Sequence, residues 1–308
     1  MIFIDQRATD PYFNLALEEH LFKGDEDVVM LWQSKNAIVV GKHQNTLSEI
    51  NYPVVLDQGI DVARRLSGGG TVYHDLGNLN FTFIQTGERE KLVDFKKFLD
   101  PVMKALNAMG LETYQGKRNE IMLAGKKISG NAEHTFKNRV LHHGTLLFNS
   151  NISTLIKSLR VNPLKFQDKA IKSVQSRVTN ISDHLSGIDF EQFREWLATS
   201  LKEQFGIEKD YELSSTDITE VENLIDQKYK TWDWIFGYSP SYVLAKTIEL
   251  SEEELELEIS VKKGLIENIT SHPGELNGAL NKFKGQPHKL QLFEEMELPE
   301  GLRAIDFF

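Results

Sequence analysis

The sequence predicts a two-part α+β protein: a larger unit of mixed β-sheets flanked by helices, then a small α/β unit. Three observations predict it. A chain of 308 residues is long enough for about two domains. Strand-like runs with period-two or continuous apolar patterning intermingle with helical runs along the first 240 residues. The patterning is then interrupted at Tyr238-Ser239-Pro240 and restarts, so the expected boundaries are 1–240 and 241–308.

Composition narrows the class. Apolar residues make up 40% and charged residues 26%, as in an ordinary globular protein. No run of about 18 apolar residues exists to span a bilayer. The start, Met1-Ile2-Phe3-Ile4-Asp5, reads as a strand and lacks the basic segment of a secretory signal, so a cytoplasmic location is expected. The absence of cysteine excludes disulfides, thiolate metal sites and a cysteine nucleophile. A net charge of −10 argues against nonspecific nucleic-acid binding. Residues from Ser239 onward carry −6 of that total, whereas two stretches, 117–137 and 157–177, are locally basic. Such patches in an acidic protein suit an anionic small molecule or an acidic partner.

Taken in order, Asp10-Pro11 caps a helix over Tyr12 to Phe22. Val28–Trp32 and Ala37–Val40 read as strands separated by a turn-like Ser34-Lys35-Asn36. Asp61–Arg65 and Thr71–Asp75 read as strands on either side of a glycine loop, and Leu79–Ile84 alternates as a half-buried strand. Lys91 to Met109 is an amphipathic helix stopped by Gly110. Glu120–Ala124, Lys127–Ser129 and Val140–Phe148 follow as strands, and Ser153–Leu159 as a short helix. Lys165 to Asn180 has little periodicity and reads as a loop, whereas Phe190–Phe205 and Thr216–Tyr229 read as helices. Beyond the interruption come strands at Ile248–Leu250, Leu255–Val261 and Leu265–Ile269, then helices near Leu276–Phe283 and Pro287–Glu295.

The stretch that carries chemistry is Arg64-Arg65-Leu66-Ser67-Gly68-Gly69-Gly70-Thr71-Val72-Tyr73-His74-Asp75. Each glycine costs roughly 0.5–1 kcal/mol against alanine in the folded chain, so three together imply positive φ or close approach to a ligand. Free backbone N–H groups in such a loop form an anion-binding concavity, with Arg64 and Arg65 as flanking charge. Neither a Walker-type loop nor a Gly-x-Gly-x-x-Gly helix start is present. A second run, Gly125-Lys126-Lys127-Ile128-Ser129-Gly130-Asn131-Ala132, holds a lysine between glycine bends. In a third, Leu141-His142-His143-Gly144-Thr145, strand alternation sends only one histidine into any one site. A fourth is the polar run Ser173-Val174-Gln175-Ser176-Arg177-Val178-Thr179-Asn180.

In this order the runs resemble the lipoate–protein ligase A family, of the biotin/lipoate protein ligase superfamily; Gly77-Asn78 and Trp232-Asp233-Trp234-x-Phe236-Gly237 add to the match. The resemblance covers nearly the whole chain and thins beyond about Tyr242. It implies a biotin/lipoate ligase-like catalytic domain with a C-terminal accessory domain, and a two-step reaction. Lipoate and ATP-Mg²⁺ give lipoyl-adenylate and pyrophosphate; the lipoyl group then moves to a lysine of an acceptor domain. The implied acceptors are apo lipoyl domains of 2-oxoacid dehydrogenase E2 subunits or the glycine-cleavage H protein, with octanoate a second candidate acyl substrate.

By the same resemblance Arg64, Arg65, Ser67, Gly68, Gly69, Gly70, Thr71, Val72, Tyr73, His74 and Asn78 belong to the lipoate and adenylate cavity. Lys127 is the central lysine, with Gly130 and Asn131 beside it; Asn119 and Glu120 match a pair near the phosphates and metal. His143 matches a histidine next to the lipoyl chain. Leu66, Glu120 and His134 depart from residues found in relatives, which bears on affinity and metal geometry but not on the reaction class. The nearest rival, an octanoyl- or lipoyl-transferase on the same fold, uses a cysteine as acyl carrier, and the missing cysteine speaks against it. Two alternatives are a transferase that uses only preformed lipoyl-adenylate and a non-catalytic module binding lipoyl domains; the retained Lys127 and glycine loop speak against the second.

Overall fold

A computed structural model describes residues 1–88, 92–159, 165–174, 176–250 and 254–308. In chain order they form β1 (Ile2–Asp5), α1 (Pro11–Lys23), β2 (Val28–Trp32), β3 (Ala37–Val40), α2 (Thr46–Glu49), α3 (Tyr52–Asp57), β4 (Asp61–Arg64), β5 (Val72–His74) and β6 (Asn78–Thr86). Next come α4 (Phe95–Ala108), β7 (Thr113–Gln115), β8 (Ile121–Leu123), β9 (Lys126–Ser129), β10 (Asn131–Phe136), β11 (Arg139–Leu147) and α5 (Ile152–Ser158). The remainder is β12 (Phe166–Asp168), α6 (Phe190–Phe205), α7 (Ser215–Leu224), β13 (Tyr242–Glu249), β14 (Glu254–Lys262), β15 (Leu265–His272), α8 (Asn277–Leu280) and α9 (Leu290–Glu295). The fold is α+β, as the sequence predicts.

The central sheet has the order β1-β2-β6-β11-β10 and is antiparallel except for β1 with β2. Along β2, Val29 and Leu31 point to one face, where Phe98 and Leu99 of α4 and Phe193 and Leu197 of α6 pack. Val28, Met30 and Trp32 point to the other, beneath Leu15 and Ala16 of α1 and Val221 of α7. With helices on both faces, β6 is buried from Asn78 through Gln85, where the sequence predicts half-burial. Local chemistry starts the helices: Asp10 accepts from the N–H groups of Tyr12 and Phe13 with Pro11 at the first turn, and Asp189 with Gln192 makes a capping box for α6. The described part of the predicted 91–109 helix begins at Phe95, capped by Asp94; Lys91 lies outside the described residues.

Two small sheets carry the candidate site. One has the order β4-β3-β5, with β3 parallel to β4 and antiparallel to β5. Thus β2 and β3 are no hairpin; they belong to different sheets. The glycine loop is no simple turn either, because it leaves β4 and passes the end of β3 to reach β5. The other is the antiparallel meander β7-β8-β9, which feeds through Gly130 into β10 at the edge of the central sheet.

A fourth sheet, β12-β13-β14-β15, packs Leu244, Leu257 and Ile259 on Phe283, Phe293 and Phe307. Two sequence expectations change here. Phe166–Asp168, inside the predicted loop, pairs with β13, and β13 begins at Tyr242, well before Ile248. Tyr242 and Leu244 are buried at alternate positions, so the strand starts soon after Pro240. The helix predicted to Tyr229 is α-helical to Leu224 and continues as a wider π-turn over Ile225–Tyr229.

Buried imidazoles give the fold a pH dependence. Burial pushes His74 down to about 3 and His288 down to about 4, and holds His142 well below the ordinary value. Burial, with Asp94 nearby, pushes Glu133, 2.9 Å from His142, up to about 7. Each histidine takes up a proton on unfolding below about 6.5, so its contribution is complete above that pH and is lost as pH falls toward the folded value. Glu133 acts oppositely: its folded pKa is raised, and it releases a proton on unfolding between its two values. Net uptake near pH 5 is therefore about two protons, each worth about 1.4 kcal/mol per pH unit. Urea midpoints are expected to fall steadily from pH 6.5 to 5; a flat profile would contradict the burial of these rings as neutral groups.

Candidate active site

The paired arginines at the end of β4 do different work. Arg64 is fully buried: Nε donates to the Trp234 carbonyl, Nη1 to the carbonyls of Gly41, Lys42 and Gln44, and Nη2 to Ile235 O, Thr46 Oγ1 and Ser239 Oγ. It does not line the cavity, because every donor is spent on tying β4 to the segment after β3 and to the Trp232–Ser239 run. Burial lowers its pKa to about 10. Arg64→Ala is expected to cost several kcal/mol, because it leaves buried carbonyls without a donor at about 1–3 kcal/mol each, read as a fall in thermal midpoint. A loss below 1 kcal/mol (roughly the surface-substitution range) would show that these bonds matter little.

Arg65 shapes the glycine loop. Its Nε donates to Ser67 Oγ (2.9 Å), Nη1 to Val39 O (3.0 Å), and Nη2 to the carbonyls of Gly68 (2.6 Å) and Gly70 (2.7 Å). Those carbonyls therefore turn inward around the guanidinium. Gly69 has φ +86°, and a Cβ there would lie 3.2 Å from Arg65 Nη2. Gly41 is required as well: a Cβ on it would sit 2.3 Å from the Gly69 carbonyl. From above, the Thr71 N–H donates to Ser173 Oγ (2.8 Å), and Ser173 Oγ donates to the Glu49 carboxylate. The segment carrying Ser173 is thereby pinned over the loop.

A hydrogen-bonded line runs inward from the loop. Ser67 Oγ lies 2.6 Å from His143 Nε2, and His143 Nδ1 lies 2.9 Å from Glu18 Oε1, which accepts from Thr82 Oγ1 at 2.6 Å. Trp32 Nε1 donates to the same threonine at 2.9 Å. Because Ser67 Oγ accepts from Arg65, its hydrogen points at His143 Nε2, which fits an imidazole carrying its own hydrogen on Nδ1. The order Ser–His–acid resembles a nucleophilic triad, but Ser67 is completely buried and does not line the cavity, so the line orients His143. His142, the other face of β11, packs among Phe81, Phe83 and Phe98.

Lys127 lies on β9. Its N–H donates to Arg177 O and its carbonyl accepts from Thr179 N, so residues 177–179 brace the strand. Its ammonium makes no hydrogen bond among the described residues, and burial lowers its pKa while Glu120 opposes the shift. Gly130 leaves room for it, since a Cβ there would come within 3.0 Å of Nζ. Asn131 Nδ2 donates to Asn119 O (2.9 Å) and Ser129 Oγ (3.0 Å), linking the meander turn to β10. Asn119 has φ +60°, and Glu120 Oε2 accepts from the Arg118 N–H at 2.6 Å.

These groups meet around a cavity of about 290 Å³. Leu15, Trp32, Val39, Val72 and Ala132 supply apolar wall; Arg118, Glu120, Lys127 and Lys172 supply charge from the meander and the 165–178 segment. Of the sequence-predicted residues, Arg65, Gly69, Gly70, Thr71, Val72, His74, Glu120, Lys127, Gly130, Asn131 and His143 line it. Arg64, Ser67, Gly68, Tyr73, Asn78 and Asn119 do not. Tyr73 packs into the core with its hydroxyl on Asn36, Asn78 bonds Asn80, and Gly68 gives its carbonyl to Arg65. Gln175 of the fourth polar run lies outside the described residues. His74, both ring nitrogens, and the Asn80 amide nitrogen are buried against the cavity with no partner among the described residues. Sequence reasoning missed Glu18, Trp32 and Arg118; the visible signal for Glu18 was a carboxylate directly after the apolar Leu15–Leu17 run of α1.

The lipoyl protein ligase A/B catalytic-domain model matches residues 10–202. A lipoate-protein ligase of Bacillus subtilis, LplJ, is 40% identical over 275 residues, covering 87% of this chain and 83% of its own. Two solved structures share the fold at a TM-score of 0.67: lipoate-protein ligase A bound with ATP (24% identity, 77% of this chain and 98% of that one) and a bipartite lipoate protein ligase with its E2 lipoyl domain from Thermoplasma acidophilum (23%, 77% and 95%). By the extent of these matches, the chain belongs to the lipoyl protein ligase A/B family.

Proposed function

We propose that the protein is an ATP-dependent lipoate–protein ligase, which activates lipoate as lipoyl-adenylate and transfers the lipoyl group to an acceptor lysine. The observation that carries this reading is the Lys127 ammonium, free of hydrogen bonds among the described residues, in a cavity that joins an apolar wall to charged and polar groups. An eight-carbon acyl chain suits Leu15, Trp32, Val39 and Val72, with His143 held beside them. Its carboxylate and the α-phosphate then meet Lys127 and the Gly69–Gly70 backbone.

In the first half-reaction a lipoate carboxylate oxygen attacks the α-phosphorus, the α–β phosphoanhydride bond breaks, and pyrophosphate departs. Lys127 offsets the mutual repulsion of carboxylate and phosphate and the charge that builds on the α-phosphate oxygens. In the second, an acceptor ε-amine attacks the acyl carbonyl and AMP leaves. Neutral His74 and the Asn80 amide offer uncharged hydrogen-bonding groups inside the cavity. We assign the binding set to the cavity-lining residues above, and give Arg64, Ser67 and Asn78 the role of holding that set in place.

The donors suit Mg²⁺ carried in on the nucleotide: among the described residues Glu120 is the one carboxylate lining the cavity, and no cluster of three metal-ligating side chains occurs. Magnesium held by one carboxylate plus phosphates is an ordinary arrangement; when bound it neutralises phosphate charge. The apo lipoyl domains of E2 subunits or the glycine-cleavage H protein are the proposed acceptors. We read 241–308 as an accessory unit that assists adenylate formation, with β12 and Leu47 as its attachment to the 1–240 unit. No helix among the described residues is long and apolar enough to cross a membrane.

Incubation with ATP, lipoate and a purified apo lipoyl domain, read by mass spectrometry, tests the assignment. A lipoyl mass gain that requires ATP supports it; a gain obtained only from synthetic lipoyl-adenylate would overturn the activation step. Parallel reactions with octanoate and with the H protein set acyl and acceptor preference.

A further inference from the structure

Among the described residues two arginines line the cavity, and one of them has its guanidinium available. Arg65 spends its Nε, Nη1 and Nη2 on Ser67 and on the carbonyls of Val39, Gly68 and Gly70. Lys172, also on the lining, is tied to Asp168 at 2.7 Å. Arg118 sits on the turn between β7 and β8, and only its backbone is committed, through the N–H that Glu120 Oε2 accepts. Its guanidinium makes no hydrogen bond or ion pair among the described residues, yet it is close enough to Lys127 to disfavour that ammonium's charge. Arg118 is also exposed, so its fork stands where the cavity opens toward solvent.

A free guanidinium fork at the rim of a site with a buried ammonium has a chemical meaning. The fork presents parallel N–H donors that match two phosphate oxygens, whereas the compact ammonium acts as a point charge. With Lys127 serving the reacting centre, the next anionic groups along a triphosphate are its two outer phosphates. We infer that Arg118 binds the β- and γ-phosphates of the nucleoside triphosphate and receives the pyrophosphate as the α–β bond breaks, the bond's electron pair leaving on the pyrophosphate oxygen. This assignment rests on the ligase reading. Glu120 holds the turn through the Arg118 backbone and so aims the fork without neutralising it.

The adenylate has no outer phosphates, so Arg118 acts in one half-reaction only. Arg118→Ala is expected to lower ATP-dependent pyrophosphate release about 100-fold, with a KM for ATP at least about tenfold higher. Transfer from synthetic lipoyl-adenylate to an apo lipoyl domain stays within about twofold of wild type. Inhibition of adenylate formation by added inorganic pyrophosphate weakens about tenfold, and Arg118→Lys falls between the two, because it keeps charge but loses the fork. An unchanged KM for ATP and unchanged pyrophosphate inhibition in Arg118→Ala would overturn the assignment, as would equal losses in both half-reactions, the mark of a merely structural turn residue. A wild-type protein that releases no pyrophosphate from ATP and lipoate would overturn the ligase reading and this assignment together.

Discussion

Lys127→Ala is expected to lower lipoyl-adenylate formation by about 10²–10³ or more, the scale of one strong electrostatic donor in a water-poor site. The lysine is positioned for this effect by its strand and by Gly130. β9 turns Lys127 into the cavity and leaves Lys126 exposed, and Gly130 provides the space its ammonium occupies. Lys126→Ala is therefore expected to stay within about threefold of wild type, since strand alternation sends it to the opposite side. Pyrophosphate release under saturating ATP and lipoate separates the two. Equal rates in the two variants would remove Lys127 from the reaction.

Gly69→Val is expected to weaken lipoyl-adenylate binding about 100-fold, close to 2.8 kcal/mol, while far-UV circular dichroism stays near wild type. The backbone at Gly69 lies in the left-handed region, which costs an L-residue roughly 1–2 kcal/mol and a β-branched one more. A Cβ there would stand 3.2 Å from Arg65 Nη2 and 3.6 Å from the Ala132 Cβ, so the loop must shift along the cavity wall. Calorimetry with the folded variant measures the loss. Unimpaired binding would reduce the three glycines to a chain reversal.

What the sequence made legible was local or chemically distinctive. α1 declares itself through Asp10-Pro11, because caps act within four residues, and the Asp189–Gln192 box that starts α6 is equally local. The glycine loop and Lys127 stand out because their chemistry serves little else. β12 was not legible: Phe166-Gln167-Asp168 lies between lysines and is a strand only because Val243 and Leu244 of a distant segment pair with it. β10 is likewise too polar to announce itself, and pairs with β11 along the sheet edge. At the site, adjacency in sequence misled. Arg64 and Arg65 look like one charge cluster, but β4 directs them to opposite tasks, and Tyr73 and Asn78 serve the core. Long-range pairing, which no local pattern encodes, decided each of these cases.

The wiring of Arg64 has a consequence for the order in which the protein matures. Three of its carbonyl partners lie 20 to 23 residues upstream, but Trp234, Ile235 and Ser239 lie 170 to 175 residues downstream. On the ribosome, Arg64 has only its upstream partners until that late segment has emerged, so the base of the glycine loop is fastened on one side. Closure across so long a span is slow relative to local helix formation. A nascent chain can thus complete its central sheet, whose last strand ends at Leu147, well before the bonds around Arg64 close at the base of the binding loop.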